Sequence, residues 1–245
     1  MDWSIIPKVA SLHLHSVLYP PLHMNYAPTR RTAVRRLKKR AVYDRDRVHA
    51  ILDEGFVCHV GFVVEDQPYV IPTLYAREND SVYFHGAMAS RMLRTLTLGV
   101  NVCVTVTLID GLVLARSAFH HSMNYRSVVV LGRARLVHDL EERLRALHLI
   151  TDHVVPGRWA EVRGPNELEL KQTSVLALNL EEVSAKVRIG PPVDDEEDYS
   201  LPIWAGVVPI ETHLGRSIDD GRVLPNVPSP DPARFQRFAP RKADT

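Results

Sequence analysis

Ser90 and Arg91 stand where a strand pattern gives way to a helix pattern, within "SVYFHGAMASRMLRTL" at residues 81–96. Residues 81–84 read as a strand, and Met88, Met92, Leu93 and Leu96 fall on one face of a helix over 88–98 that Gly99 ends. A helix start presents unpaired backbone N–H groups and the positive end of a dipole, which together favour a phosphate. Ser90 adds a hydroxyl donor there, and Arg91 a planar, permanently charged fork able to grip two phosphate oxygens. The same spacing also fits a surface helix whose arginine is merely solvated, and spacing alone does not separate the two.

Other chemistries find less support. His13-x-His15 and His120-His121 are the close histidine pairs, and neither has a cysteine or carboxylate at ligand spacing, so no metal site is expected. Neither cysteine sits at a helix start or beside a base, and no G-x-S-x-G elbow occurs. The G-x-G-x-x-G and phosphate-loop patterns are missing as well. The segment "TRRTAVRRLKKR" is basic at seven of its twelve positions, which suits a nucleic-acid arm or a solvated leader. The leader is preferred, because acids soon follow and the whole chain carries a formal charge of only +1.

Elements must position these residues. Asp44 can cap a helix over "YDRDRVHAILDEG", with Val48, Ile51 and Leu52 on one face and Gly55 as a left-handed stop. "FVCHVGFVV", the turn "EDQ" and "PYVIPTLYA" predict a hairpin, followed by the strand at 81. "NVCVTVTLI", "NYRSVVVLGRARLV" and "TSVLALNLEEVSAKVRIG" read as further strands. Between them, "HDLEERLRALHLITDHV" is helical, with Asp139 and Glu142 as a capping-box-like start and a Leu140, Leu144, Leu147 stripe. Short turns between strands, without regular strand–helix alternation, predict a mainly β (α+β) fold, an antiparallel closed or half-closed barrel with inserted helices. The domain is read as 28–212, after a poorly ordered extension at 1–27 and before a polar, proline-rich tail at 213–245.

Cys58 and Cys103 lie in apolar runs and read as buried thiols of a reducing, cytoplasmic compartment. No apolar run reaches the length of a membrane span. The N-terminal stretch is too broken by Pro7, His13, His15 and Pro20-Pro21 for a signal-peptide core, and a transit segment is the less favoured reading of its few acids.

In order along the chain, "RAVYDRDRVHAILDEGFVCHVGFV", "QPYVIPTLYAREND", "YFHGAMASRMLRTL", "NVCVTVTLIDGLVLARSAFHHSMNYRSVVVLGRARLV" and "SAKVRIGPPVDDEEDYSLPIWAGVVPI" resemble the pyridoxamine 5′-phosphate oxidase-related flavoproteins. Within them the chain is most similar to the branch of nitroimidazole-resistance and flavin-nucleotide-binding proteins. The resemblance spans about Tyr26 to Ile210. It implies a split β-barrel that pairs into a homodimer with FMN at the subunit interface. Residue by residue, it implies that Val70, Ile71, Pro72 and Thr73 run along the flavin, and that Phe84 and His85 end the next strand beside it. Ser90-Arg91 take the place of a Ser-Arg-Lys phosphate grip whose lysine is here Met92. Arg126 and Ser127 reach the cofactor from the start of a long strand, and Trp204 flanks it across the interface.

His85 is then the candidate catalytic residue, a proton donor to a reduced substrate, or else a structural residue under the flavin. The expected activity is an FMN-dependent oxidoreductase acting on a small, flat acceptor such as a nitroaromatic or quinone. Vitamin B6 oxidation is less favoured, because "DDEEDYSLPIWAGVVPI" replaces the arginine- and histidine-bearing signature that holds a phosphorylated substrate. Residues Asp194 to Asp198 read as a solvated loop. The rivals are a non-catalytic flavin-binding or regulatory module and a haem-binding split barrel, for which no histidine is singled out as axial ligand. A small-molecule substrate is expected, with nucleic acid and membrane not expected as partners.

Overall fold

A computed structural model describes residues 25–231 and Arg234. Most of the extension expected at 1–27, and with it the His13-x-His15 pair, lies outside the described residues. Of its last residues, Tyr26 is buried, and its N–H donates to the Tyr43 carbonyl at 2.8 Å.

After β1 (Ala41–Val42) comes α1 (Arg45–Glu54), which starts where the Asp44 carboxylate accepts the Arg47 N–H at 2.9 Å and buries Val48, Ile51 and Leu52. Gly55 ends it in an extended conformation, φ −73°, and not in the expected left-handed one. Its glycine answers to space: a Cβ there would lie 2.7 Å from Val106 Cγ1 and 2.9 Å from the Tyr75 hydroxyl. The hairpin of β2 (Val57–Val64) and β3 (Gln67–Glu78) closes through Glu65 and Asp66, both at positive φ (48° and 63°), as a tight two-residue turn requires.

β4 (Ser81–Ala87) leads into α2 (Arg91–Thr97), shorter than the helix read over 88–98. Met92, Leu93 and Leu96 are buried as expected, whereas Met88 precedes the helix and is exposed. Gly99 stops the chain there at φ +72°. β5 (Asn101–Leu114) and β6 (Ser122–Arg133) form the longest pairing, and β7 (Arg135–Leu136) continues β6 past Ala134. Asp139 caps α3 (Leu140–Val154) by accepting the Glu142 N–H at 2.8 Å. Its buried face is Ala146 and Ile150 with Leu147 and Leu149 packed alongside, while Leu140 of the expected stripe is exposed. A helix absent from the sequence reading, α4 (Glu167–Gln172), is set by the reciprocal capping box of Asn166 and Glu169. β8 (Thr173–Asn179), β9 (Glu182–Arg188) and β10 (Gly206–Pro209) complete the sheet.

The strands pair antiparallel in the order β1-β9-β6-β5-β2-β3-β4-β8-β7, with β10 on β5. β3 turns the corner: residues 67–74 pair with β2 and residues 75–78 with β4. On the opposite side β6 pairs with β5 and β9, and its continuation β7 pairs with β8. The ladder stays open between β6 and β8. Chain continuity through Ala134 and close packing bridge the gap there, since a Cβ on Gly132 would come 2.9 Å from Leu178 Cδ1. Val60, Phe84, Val104, Val106, Val128, Val130, Leu176 and Leu178 fill the interior. A second cluster, Ala76, Tyr83, Val137, Ala146, Ile150, Val175 and Ala177, seats α3 on the outer face of the β4–β8 wall.

Candidate functional site

Because β4 pairs with β3 only from Tyr75 onward, the other edge of β3 over 67–74 has no strand partner among the described residues. Backbone groups that face this edge have no ladder to join and can meet a ligand, apart from the Pro68 carbonyl, which accepts the Gln67 side-chain amide at 3.0 Å. Val70, Ile71 and Pro72 lie on this stretch exposed, and Thr73 half-buried. Beside it, burial of Met92, Leu93 and Leu96 turns the opposite face of α2 outward. Arg91, Arg94, Thr95 and Leu98 then line a groove of about 520 Å³ with Val64, Glu65, Gln67 and Tyr69. The Arg91 guanidinium sits 5.0 Å from the Tyr69 ring centroid, a cation–π contact that orients the fork. Ser90 is the N-cap residue, its hydroxyl making no capping bond, and it is not part of the groove lining.

Met92 occupies the place of the lysine, and its side chain is buried in the barrel. A second cation nevertheless reaches the groove: Arg94, one helical turn from Arg91. The i, i+3 spacing was present in the sequence and would have found it.

Strand alternation separates the two residues read together at 84–85. Phe84 is fully buried in the barrel interior, so its side chain meets no surface ligand. His85 points to the other face, where it pairs in register with Val175. It lines a cavity of about 440 Å³ with Leu147 and Thr151 of α3, Trp159, Val162, Arg163, Pro165, Glu169 and Thr173. His85 Nδ1 is fully enclosed without a hydrogen-bond partner. Burial holds the imidazole below its ordinary pKa, toward the neutral form. The indole of Trp159 stacks on His148 at 5.3 Å, and its backbone N–H donates to Asp152 at 2.8 Å. Arg163 and Glu169 form an ion pair at the cavity wall, 2.6 and 2.8 Å. The His85 cavity and the Arg91 groove share no lining residue.

Arg126 is engaged within the chain. Its guanidinium donates to both oxygens of Glu54 and to Asp110 at 2.7 Å, and these carboxylates hold it charged against the effect of burial. Asp110 reaches it from a register shift in β5. A role for this side chain in gripping a phosphate would require it to leave two carboxylates. Ser127 lies in register with Thr107 and Lys186. Trp204 is 65% exposed and lies over Gly206, where a Cβ would come 2.8 Å from the indole.

The loop read as solvated at Asp194 to Asp198 is not uniform. Asp194 is buried and accepts both the Arg116 N–H and a guanidinium N–H at 3.0 Å. These bonds, led by the Arg116 side chain, outweigh burial and hold its carboxyl below the usual range. Arg116 in turn lies over the Tyr199 ring at 5.0 Å. Of the histidine pair, His120 sits 3.2 Å from Asp195, and His121 Nδ1 lies 2.8 Å from the Ser117 carbonyl oxygen. Among the described residues, no group of three or more His, Cys, Asp or Glu converges to hold a metal ion, and no helix is long and apolar enough to cross a membrane. Cys58 and Cys103 are both free thiols, and burial pushes that of Cys58 up to about 12.

With this geometry, comparison with known proteins places the chain. Residues 44–187 match the family model described as pyridoxamine 5′-phosphate oxidase, so the chain belongs to that family. A flavocytochrome from Azotobacter vinelandii is 44% identical, aligning over 84% of this chain and 96% of its own with a TM-score of 0.79. A FAD- and haem-binding protein from Mycobacterium smegmatis is 34% identical over 80% of this chain and 96% of its own, TM-score 0.76. A candidate 5-nitroimidazole antibiotic resistance protein from Bacteroides thetaiotaomicron is 25% identical over 60% and 86%, TM-score 0.51. No curated protein sequence matches.

Proposed function

We propose that this chain is a redox protein that binds a flavin nucleotide along the open edge of β3 and a haem in the cavity beside His85. The unpaired edge of β3 next to the Arg91–Arg94 groove carries the flavin half of this reading. Both guanidiniums line the groove, that of Arg91 resting on the Tyr69 ring, where they can meet phosphate oxygens. FMN is the cofactor expected from the sequence. The second guanidinium favours FAD, whose diphosphate offers two anionic groups, and FAD is what the Mycobacterium smegmatis relative binds. Pairing with haem is supported by that relative and by the Azotobacter vinelandii flavocytochrome.

Bound there, the flavin supplies one- or two-electron exchange and the haem one-electron exchange. The chain's own residues bind, orient and exclude water. Arg91 and Arg94 would anchor the phosphate end, and Val70 to Thr73 would offer backbone along the ring system. The acceptor expected is a small flat organic molecule such as a quinone or nitroaromatic. A second copy of the chain would cover the outward row of Val57, Val70, Leu74 and Ile109, which are exposed on one side of the β5–β2–β3 wall.

The test is to reduce the purified, cofactor-loaded protein anaerobically and mix it with quinones, nitroimidazoles and pyridoxine 5′-phosphate. Reoxidation of bound flavin by a quinone or nitroaromatic faster than by dissolved oxygen supports the oxidoreductase. Reoxidation by oxygen alone favours a non-catalytic flavin module, and turnover of pyridoxine 5′-phosphate favours the oxidase activity.

A further inference from the structure

The geometry points to His85 as the protein's ligand to the haem iron, a role that rests on the two-cofactor reading above. Buried polar side-chain atoms are nearly always hydrogen-bonded, and those that are not require an explanation. His85 Nδ1 is fully enclosed and has no hydrogen-bond partner among the described residues, so it has no room for a ligand. Nε2 is therefore the nitrogen left to meet a ligand in the cavity.

That cavity suits a flat, largely apolar cofactor. Leu147, Trp159, Val162 and Pro165 supply apolar wall, and about 440 Å³ falls within the range of cofactor sites. Arg163 adds a cation at the same wall, now balanced by Glu169, that can turn to a carboxylate-bearing edge. A free metal ion would need three or four protein ligands, and no such group converges among the described residues. Haem iron needs only one or two from the protein, because the macrocycle supplies the others.

The alternative expected from the sequence, proton donation at the flavin, would need His85 within hydrogen-bond reach of a substrate stacked there. Its cavity lies on the α3 side of β4 and shares no lining residue with the Arg91 groove.

The experiment titrates haemin into the full-length, cofactor-stripped chain and reads the Soret band and the electron paramagnetic resonance spectrum, both independent of turnover. Wild type is expected to bind one haem with the signature of histidine ligation. His85→Gly should bind more than about tenfold more weakly, and added imidazole should restore the histidine-type spectrum. His85→Met, checked for native circular dichroism, should give a changed ligand signature and covers the case in which the glycine variant does not fold. Wild-type affinity and spectrum in either folded variant would overturn the assignment while leaving haem binding intact. Failure of wild type to bind haem stoichiometrically would overturn the two-cofactor reading, and the assignment with it.

Discussion

Replacing Arg126 by methionine would remove one positive charge from between two carboxylates. Side-chain exposure is 15% for Arg126, 30% for Glu54 and 25% for Asp110, which sets the cluster between the buried and exposed cases. Exposed pairs contribute about 0.2–1 kcal/mol, whereas breaking a buried pair costs about 3–5 kcal/mol. A cost of roughly 2–3 kcal/mol follows for Arg126→Met, much of it from the repulsion between Glu54 and Asp110 once the guanidinium that bonds to both is gone. In a chain of this size each kcal/mol moves the midpoint by about 2–4 °C, so Tm should fall by roughly 4–12 °C. Adding Glu54→Gln and Asp110→Asn in the same background should recover most of that loss by removing the repulsion. The assay is a thermal melt followed by circular dichroism, with released flavin quantified on the same samples. A structural lock lowers Tm and leaves flavin in the folded variant. A variant melting within about 1 °C of the parent yet stripped of flavin would refute the argument and return Arg126 to the cofactor grip.

Two further outcomes are expected. Gly55→Ala should lower the urea midpoint by the equivalent of about 1–3 kcal/mol, because its Cβ meets Val106 and Tyr75 in the core; Gly164→Ala, with open space around it, should not. His49 is held below its ordinary value of 6.5 by burial and by Arg77, so around and below 6.5 this side chain binds more protons in the unfolded chain than in the folded one. Stability should therefore fall as pH drops from about 7.5 to 5.5, and less steeply in His49→Gln; equal slopes in the two proteins would contradict this.

The barrel was legible because its signals are local. Period-two runs marked the long strands, and Asp44 and Asp139 marked two helix starts by a side chain that accepts an N–H within its own turn. The site was legible in part. Arg91 was found from residue type and position, and Arg94 was overlooked although it follows at helical spacing. What sequence could not supply was direction and partnership across the fold. Whether Phe84 or His85 faces a ligand depends on which side of β4 meets the barrel interior, and that is set by β8 and α3, more than fifty residues away. Resemblance placed Arg126 at the cofactor, and its partners Glu54 and Asp110, which come from α1 and β5, were out of reach of any local pattern. Asp194 read as solvated for the same reason, its Arg116 partner lying 78 positions earlier. Trp159 belongs to a segment without periodic pattern, so nothing in the sequence drew it to His85.

The central claim is that a flavin phosphate is held in the Arg91–Arg94 groove, and the most direct measurement is flavin binding by fluorescence quenching. Cofactor-stripped wild type, Arg91→Ala and Arg94→Ala would each be titrated with FMN and with FAD. A charge-assisted contact contributes about 1.5–3 kcal/mol, so the account expects Arg91→Ala to weaken binding by at least about tenfold. Arg94→Ala should weaken FAD binding more than FMN binding. Wild-type affinity for both nucleotides in both variants, with the fold intact, would contradict the account.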